Sequence, residues 1–431
     1  MRVDLSSCRK EFPSLELRVN GHVAAYFDGP GGTQVPTRVI EAVTRYYREA
    51  NANSHGEFVT SHRTDEIIAA AREAVADMLG AASADEIAFG PNMTTLNFAL
   101  SRAIGRALAP GDEIVITDLD HEANRSPWQA LEEKGVVVRS VRVNVPECTL
   151  DYDDLERATS ERTKVVALGY ASNAVGTIND VRRASALAHS VGALCVVDAV
   201  HYAPHGVIDV RDIGCDFLLC SAYKFFGPHI GILYGRRDAF ERLATYKVRP
   251  QNPAPPYKIE TGTLNHEGMA GVIEALEFIA GLGDAVERIE GDDDGTKAAR
   301  CPQSHPGRAN ERRSRIIAGL RAIELHERPL FCRLMDGLAN IRGVTIYGLP
   351  AQAERTPTVS FTMEGGRPLD IARFLGQRGI FVWHGDFYAT TLIERLGLAD
   401  SGGVVRIGMA PYNTVEEVER LLEAVEEYAR H

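Results

Sequence analysis

Short apolar runs alternate with helical patterns between about residue 65 and residue 235. The seven runs that we predict to be strands are 86–89, 113–117, 136–143, 164–169, 193–197, 216–220 and 231–234. Several of them are almost entirely apolar, which is typical of strands that are buried on both faces of a mostly parallel sheet. Helices between such strands favour a wound α/β domain. The pattern therefore predicts a large α/β domain with a mostly parallel seven-stranded sheet.

The pattern changes after residue 284. Residues 285–312 are polar and rich in turn formers, which predicts a flexible insertion. Beyond this stretch, helices alternate with predicted strands at 344–349, 358–363, 380–383 and 404–409. We expect a large domain at 29–284 and a smaller α+β domain at 313–431. The N-terminal segment 1–28 is expected to pack with the small domain.

The last predicted helix carries a start signal and an apolar face. Thr414 is its expected N-cap and Glu417 its third residue, which together form a capping box. The apolar positions that recur with helical spacing are Val415, Val418, Leu421, Leu422 and Val425.

The composition narrows the class of protein. The chain has 431 residues, 59 acidic against 47 basic, and a formal net charge of −12, which argues against a nucleic-acid partner. No apolar run approaches the ~20 residues that span a bilayer, and the N-terminus has no signal or transit pattern, so we predict no membrane contact and a cytoplasmic location. The seven cysteines are scattered without C-x-x-C spacing. A disulfide framework or a metal site is therefore not expected.

A lysine and an aspartate follow two of the predicted strands. Lys224 comes three residues after Ser221, at which one apolar run ends, and Asp198 closes another run 26 residues upstream. Such a lysine can form a Schiff base, and a buried carboxylate can keep a pyridine nitrogen protonated, which is the minimum equipment for pyridoxal phosphate chemistry. His121 and Asn173 also follow predicted strands. Because ligands bind beyond the carboxyl ends of such strands, we expect all four side chains in one site.

Several motifs, which follow one another along the chain in the order typical of one family, carry a family resemblance. Asn92-Met93-Thr94 follows a strand and opens a helix, whose N–H groups suit phosphate, and Asp120-His121-Glu-Ala-Asn124 follows the next strand. Together with Asp198 and Lys224, these stretches resemble class V aminotransferase-type enzymes of the cysteine desulfurase-like group. The resemblance runs from Tyr26-Phe-Asp-Gly to the final helix. It implies the fold type I architecture of pyridoxal-phosphate-dependent transferases, with pyridoxal 5'-phosphate as cofactor and an L-α-amino acid as substrate.

The resemblance assigns roles around the cofactor. His121 resembles the histidine that stacks on the pyridine ring, Asp198 the partner of the ring nitrogen, and Lys224 the lysine that holds the cofactor as an aldimine. The other residues that it assigns to cofactor binding are Asn92, Met93, Thr94, Asn173, His201, Ser221, Tyr223 and Thr263. His201 stands where many relatives carry a glutamine that faces the cofactor hydroxyl. Thr263, in Glu260-Thr-Gly-Thr263, resembles the threonine that reaches the phosphate of the neighbouring subunit, which implies a homodimer with shared sites.

Substrate binding is implied for a second group of residues. Arg406 resembles the arginine that clamps the substrate carboxylate, for which a planar guanidinium is suited. Asn53 and His55 match a family loop at the mouth of the site. His384 or Tyr388 could protonate the leaving group or hold the carboxylate.

The chain departs from the desulfurase pattern at the second nucleophile. Desulfurases carry a cysteine on a small-domain loop, where it accepts sulfur as a persulfide. Tyr388 occupies that place in this chain, and no cysteine lies between Cys332 and the C-terminus. A phenol cannot carry a persulfide, and Cys301 could reach a site only if the predicted insertion folds over it.

The leading hypothesis is a pyridoxal-phosphate-dependent C–S lyase that acts by β-elimination, with Lys224 as the base at Cα. Transamination or epimerisation by the same fold is the nearest alternative. Sulfur transfer to Cys301 or to an external thiol is another. The alternative outside the enzymes is a protein that binds the cofactor without catalysing a reaction.

Overall fold

The computed structural model of the chain describes residues 3–291 and 308–430. The central part of the predicted insertion at 285–312 lies outside the described residues. Its two ends are helical, because 285–291 continue one long helix and 308–312 begin the next. None of the helices in the described ranges has the length and apolar character needed to cross a membrane.

The N-terminal segment contacts both domains. Its short strands are β1 (Arg18–Val19), β2 (His22–Val23) and β3 (Ala25–Tyr26). β1 and β2 pair with each other, whereas β3 pairs in parallel with residues 380–381 of the small domain. Phe12 instead packs edge-on against Phe226 and Phe278, with ring centroids 6.1 and 5.3 Å away.

The large domain is built on one seven-stranded sheet. Its strands, with a short hairpin formed by β7 and β8, are β4 (Ile87–Gly90), β5 (Glu113–Thr117), β6 (Val137–Val141), β7 (Val143–Asn144), β8 (Thr149–Leu150), β9 (Thr163–Gly169), β10 (Leu194–Asp198), β11 (Phe217–Ser221) and β12 (Gly231–Gly235). The sheet order is β4-β12-β11-β10-β9-β5-β6. β12 pairs antiparallel with both of its neighbours, β4 and β11, and the other neighbouring strands of this sheet pair in parallel. The predicted mostly parallel seven-stranded sheet is confirmed.

Helices cover both faces of this sheet. They are α1 (Thr37–Glu49), α2 (Val59–Leu79), α3 (Met93–Gly105), α4 (Ser126–Gln129), α5 (Tyr152–Ala158), α6 (Val181–Ser190), α7 (Val210–Ile213), α8 (Arg237–Arg242) and α9 (His266–Gly291). Along β10, Cys195 and Val197 join one apolar cluster, while Val196 joins the cluster on the other face. Burial on both faces explains why these strands read as continuous apolar runs rather than as alternating patterns.

The small domain has its own antiparallel sheet. Its elements are α10 (Arg308–Asn340), β13 (Val344–Tyr347), β14 (Thr358–Met363), α11 (Pro368–Gln377), β15 (Ile380–Phe381), β16 (Trp383–Gly385), α12 (Thr390–Arg395), β17 (Val404–Gly408) and α13 (Val415–Ala429). The sheet order is β13-β14-β17-β16. The run at 380–383, predicted as one strand, is two, because β15 pairs with β3 whereas β16 pairs with β17.

The capping box of the last helix is confirmed. Thr414 Oγ1 accepts a hydrogen bond from the Glu417 N–H, and Glu417 Oε2 accepts one from the Thr414 N–H, both at 3.3 Å. Val418, Leu421 and Val425 of α13 are buried in the small-domain core. The apolar face read from the sequence is therefore the face that holds α13 on its sheet.

Candidate active site

A cavity of about 390 Å³ lies at the carboxyl ends of the large-domain strands and is closed on one side by the small domain. The predicted site residues that line it are Asn92, Met93, Thr94, His121, Asn173, Asp198, His201, Ser221, Tyr223, Lys224, His384, Tyr388 and Arg406. Asp198 ends β10 and Ser221 ends β11, while Arg406 comes from β17 of the small domain. The convergence expected from the sheet topology is thus present in the structure.

Lys224 is buried in the wall of this cavity. It ends a single turn of 3-10 helix that follows β11. Its Nζ donates hydrogen bonds to the backbone carbonyls of Pro30 and Gly31. Burial lowers the pKa of Lys224 to about 7 and Arg406 adds to this effect, while Asp28 and Asp198 act in the opposite direction. A lysine with such a pKa can be a nucleophile and a proton carrier near neutral pH.

Asp198 is a buried carboxylate that lines the same cavity as Lys224. Its Oδ1 accepts a hydrogen bond of 2.9 Å from the Val200 N–H. Burial raises the pKa of Asp198 to about 6, although that hydrogen bond and the charge of Lys224 lower it. A cationic ring nitrogen beside this carboxylate would favour its ionised form, which fits the role that the family resemblance assigns to it.

His121 presents a neutral ring to the cavity. Its Nδ1 accepts a 2.9 Å hydrogen bond from the Ala123 N–H, so the ring proton of the neutral form lies on Nε2. Burial, with the charges of Lys224 and Arg406, lowers the pKa of His121 to about 4. The imidazole is therefore uncharged at neutral pH and can offer a flat face and one N–H.

The start of α3 forms an anion cradle. Asn92 caps the helix by accepting a hydrogen bond from the Thr95 N–H at 2.8 Å, and the Met93 N–H donates to Ser221 Oγ at 3.1 Å. β12 passes directly against this turn, and a Cβ at Gly231 would lie 2.3 Å from the backbone carbon of Asn92. A helix N-terminus flanked by hydroxyl groups is suited to a phosphate group.

Arg406 and Asn173 line the same cavity and contact each other. Arg406 Nη1 donates to the Asn173 carbonyl at 3.0 Å, and the guanidinium carbon lies 4.2 Å from the centre of the Phe387 ring. Burial lowers the pKa of Arg406 to about 10, so this residue stays cationic at neutral pH. Asn173 Nδ2 donates to the Phe387 carbonyl, but Asn173 Oδ1 is buried with no hydrogen-bond partner in the described structure. A buried amide oxygen without a partner in the wall of a cavity fits a polar ligand there.

Asp28 is a site residue that the sequence reasoning missed. Its Oδ1 lies 3.6 Å from Arg406 Nη2 and makes no hydrogen bond within the described residues. Burial raises the pKa of Asp28, whereas Arg406 and Lys224 lower it. A Cβ on Gly31 would lie 2.4 Å from this carboxylate, so the glycine-rich turn makes room for it. The available signal was an acidic residue placed directly before Gly29-Pro-Gly-Gly32.

His201 lines the cavity, but one of its nitrogens is already engaged. Its Nε2 lies 3.0 Å from Thr356 Oγ1 and 3.1 Å from Thr358 Oγ1 of the small domain. Burial, followed by the charges of His205 and Lys224, lowers the pKa of His201 well below its usual range. The neutral ring can therefore face a ligand only through Nδ1.

Three predicted residues lie elsewhere. Asn53, His55 and Thr263 line a separate cleft of the large domain, together with Arg72 and Glu260. They do not line the cavity of their own chain in the described structure.

The described cysteines lie away from the cavity. Cys8, Cys148, Cys195, Cys215 and Cys220 are buried, and Cys332 is partly buried. Burial raises the pKa of the five buried thiols. Cys301 lies outside the described residues. Within residues 3–291 and 308–430, no thiol lines the cavity and no cluster of ligands could hold a metal ion.

The chain is similar to known proteins over its whole length. The family model described as Aminotransferase class-V matches residues 25–292 and 315–421. The chain is 32% identical over 440 residues to a probable cysteine desulfurase of Halalkalibacterium halodurans, with 98% of each protein covered. It is 30% identical over 446 residues to a cysteine desulfurase of Pectobacterium carotovorum, with 100% of this chain and 99% of the relative covered.

Solved structures agree in fold. The apo structure of a cysteine desulfurase from Thermococcus onnurineus has a TM-score of 0.82 at 29% identity, with 100% of this chain and 99% of the other covered. A cysteine desulfurase from Escherichia coli has a TM-score of 0.80 at 27% identity, with 99% and 98% covered. The predicted fold, a large α/β domain with a smaller α+β domain, is confirmed by these likenesses.

Proposed function

The chain belongs to the aminotransferase class-V family, and from this premise we propose that it is a C–S lyase that cleaves a cysteine-derived L-amino acid by β-elimination. It is a pyridoxal-phosphate-dependent enzyme. The observation that carries the proposal is a cavity that holds Lys224, Asp198 and Arg406 but is lined by no described cysteine. Such a site has the groups needed to break a C–S bond, but it has no described cysteine that could accept the sulfur.

The cavity fits the cofactor. The start of α3 with Thr94 and Ser221 would hold the phosphate, Asp198 the ring nitrogen, and the face of His121 the ring. The unpartnered Oδ1 of Asn173 is available to a polar group of the cofactor or substrate. When bound, pyridoxal phosphate supplies an electron sink that stabilises negative charge at the substrate Cα.

Arg406 orients the substrate. It is buried, cationic and fixed by its hydrogen bond to the Asn173 carbonyl, so its guanidinium can take a carboxylate through two parallel hydrogen bonds. Fixing the carboxylate limits the orientations that the Cα–H bond can take relative to Lys224. This pre-orientation is a large part of what such a site contributes to the rate.

Lys224 moves the proton. With a pKa of about 7 in this cavity, its amine is neutral in a large fraction of molecules at neutral pH and can accept the Cα proton. The sulfur then leaves Cβ with its bonding electrons and needs a proton. The Nε2–H of His121, the hydroxyl of Tyr388 and the ring of His384 all border the same cavity as candidate donors.

The relatives compared above are cysteine desulfurases or a probable cysteine desulfurase, which favours C–S chemistry over transamination or epimerisation. Tyr388 and the absence of a described thiol at the cavity distinguish this chain from a site that stores sulfur on cysteine. We therefore place it among enzymes that release the sulfur product directly.

The active unit is proposed to be a homodimer. Asn53, His55 and Thr263 cluster in a cleft outside the cavity of their own chain, which suits a contribution to a partner's site. The cytoplasmic location stays a prediction.

A visible absorption scan of the holoenzyme against a panel of L-amino acids tests the proposal. Cysteine or a cysteine conjugate should shift the cofactor band and yield pyruvate, ammonia and a sulfur product. Lys224→Ala should abolish both the characteristic lysine-bound cofactor band and the turnover. A shift to the amine form of the cofactor without those products would make the enzyme a transaminase, and full turnover by Lys224→Ala would refute the scheme.

A further inference from the structure

We infer that the substrates are S-conjugates of L-cysteine whose sulfur carries an aromatic group, and that Tyr388 and Trp383 bind this group. The inference rests on the proposed β-elimination and goes further by naming the substrate class. The residues that support it, Tyr388 and Trp383, lie at the mouth of the cavity rather than beside Lys224.

Two large aromatic side chains stand exposed at that mouth. Tyr388 is 69% exposed and Trp383 is 54% exposed, and both line the cavity that holds Lys224. Exposed aromatic side chains that border a cavity mark a place where a ligand can cover apolar surface. Free cysteine carries only a thiol on Cβ and offers nothing to cover these rings.

The loop that carries Tyr388 is fixed by hydrogen bonds. The Tyr388 carbonyl accepts a 2.7 Å hydrogen bond from the Glu122 N–H, and its own N–H donates to Asp386 Oδ1 at 3.0 Å. The preceding Phe387 carbonyl accepts from Asn173 Nδ2 at 2.9 Å. Phe387 and Tyr388 both have positive φ values, 56° and 58°, which bulky residues rarely adopt. Such backbone conformations persist where the surroundings hold them, and they cluster at ligand sites.

The position of the two rings relative to the catalytic groups suggests what they contact. The Tyr388 ring is stacked with the His121 ring, with centroids 5.4 Å apart and an interplanar angle of 28°. Trp383 on β16 is the direct partner of Arg406 on β17 in the sheet register. A substrate whose carboxylate is held by Arg406, and whose Cβ substituent extends outward past His121, would bring that substituent to Tyr388 and Trp383. An aromatic substituent can stack there at little entropic cost.

The reaction with such a substrate is balanced without an oxidant or reductant. Lys224 takes the Cα proton, the Cα–Cβ double bond forms, and the C–S electrons leave with sulfur, which is protonated to the thiol. Water then hydrolyses the released enamine. In sum, R–S–CH2–CH(NH3⁺)–COO⁻ and one water give R–SH, pyruvate and ammonium.

The test compares S-benzyl-L-cysteine with S-ethyl-L-cysteine. Because phenylmethanethiol is more acidic than ethanethiol, leaving-group strength contributes to the wild-type ratio of kcat/KM, but it contributes equally in every variant. The change of the ratio between wild type and a variant therefore reports contacts with the ring. The holoenzyme should favour the benzyl compound by about tenfold or more, as one or two aromatic contacts allow. Tyr388→Ala and Trp383→Ala should each lower this ratio several-fold, while Tyr388→Phe should keep it.

Tyr246→Ala is the matched control, because Tyr246 is also exposed, at 62%, but does not line the cavity. It should leave the ratio unchanged. A wild-type ratio near one, or a ratio that Tyr388→Ala and Trp383→Ala do not lower, would overturn the inference. The second outcome is expected if a partner subunit covers these rings.

A spectral titration separates this inference from the proposed function. Equal release of pyruvate from both compounds would refute the aromatic site and leave β-elimination intact. If the benzyl compound instead shifts the cofactor band at lower concentration than the ethyl compound, yet neither yields pyruvate, the proposed elimination falls and the aromatic site stands.

Discussion

Lys224 and Arg406 are two buried basic side chains in one cavity, and burial together with the surrounding charges sets the pKa of each. Asp28 Oδ1 lies 3.6 Å from Arg406 Nη2, and the charge of Asp28 raises the pKa of Lys224 while Arg406 lowers it. Burial thus has the largest effect on the pKa of the lysine, and a carboxylate from the N-terminal segment partly offsets it. A substrate carboxylate bound to Arg406 would reduce the repulsion between Arg406 and the charged form of Lys224.

Asp28→Asn should lower the pKa of Lys224 below about 7, because the attraction of the carboxylate is lost. The neutral amine is the form that captures the cofactor, so capture by the apoenzyme should rise with pH through this pKa. Stopped-flow absorbance after addition of pyridoxal phosphate should give a midpoint near pH 7 for the wild type and a lower one for the variant. The exposed Asp336→Asn should keep the wild-type midpoint, and an unshifted or higher midpoint for Asp28→Asn would contradict this account.

Asp198 governs a second pH dependence. Its carboxyl, with a pKa of about 6 before a ligand binds, is ionised above that pH and protonated below it. Cofactor affinity should therefore fall as the pH drops through about 6, and Asp198→Asn should weaken affinity at neutral pH by at least about tenfold. Equilibrium dialysis measures both. Equal affinity of wild type and Asp198→Asn at pH 7 would remove Asp198 from its assigned role.

The placement of Lys224 and Asp198 in one cavity could be predicted because Asp198 closes an apolar run and Lys224 follows another by three residues, patterns that are local in the chain. The partners of His201 could not, because Thr356 and Thr358 lie more than 150 residues away and belong to the other domain. Asp28 was missed for a similar reason, since only the tertiary fold brings it to Arg406. Local pattern thus indicates which residues can react, and long-range packing decides what surrounds them.

At the scale of elements, the sheet positions the chemistry. Parallel strands β9, β10 and β11 end at the same edge, with Asp198 opposite Gly169 and Leu219 in the ladder. Apolar periodicity was sufficient to predict these strands. It could not predict that 380–383 divides between two sheets, because β15 pairs with β3 from the other end of the chain. The local sequence indicates where a strand forms, but the partner of that strand depends on residues far away in the chain.

The contact between β12 and the start of α3 gives a test at this scale. Gly231→Ala would place a Cβ 2.3 Å from the Asn92 backbone, so the strand and the helix start must separate. We expect a loss of stability of about 1–3 kcal/mol from overpacking, with weaker cofactor binding because the cradle is displaced. Denaturant unfolding and cofactor titration report the two effects.

Gly281→Ala is the control for that substitution. Gly281 lies in α9, and a Cβ added there would have no neighbouring atom within 4 Å, so alanine should stabilise the protein by up to about 1 kcal/mol. Cofactor affinity should not change. If Gly231→Ala behaved like Gly281→Ala, the close approach at the cradle would not matter.

At the scale of the whole molecule, the site joins both domains and, by our proposal, two subunits. Arg406 and Tyr388 come from the small domain, Lys224 and Asp198 from the large one, and the N-terminal segment contacts both. The change of pattern along the sequence predicts a division into domains, and that division stays a prediction. The cleft at Thr263 gains a function only if a second chain supplies the cavity that it serves.

Subunit mixing tests the shared site. Thr263→Ala and Lys224→Ala should each be impaired as homodimers, but mixed dimers should regain activity because one site then has both residues intact. Mixing Lys224→Ala with Arg406→Ala is the control, since those residues line one cavity of the same chain and no intact site can form. Turnover after refolding the mixtures is the measurement, and no recovery in the first mixture would refute the shared site.

The carbon skeleton of the product tests the central claim most directly. Elimination leaves pyruvate and ammonia, whereas transfer of sulfur to a cysteine would leave alanine. With holoenzyme and a cysteine or cysteine conjugate labelled in the cysteine carbons, nuclear magnetic resonance should show pyruvate as the main carbon product. A separate assay for sulfide or thiol should find the sulfur product in an amount equal to the pyruvate, for wild type and for Cys301→Ser alike. Alanine as the main product, with a persulfide on the chain that disappears in Cys301→Ser, would contradict the account.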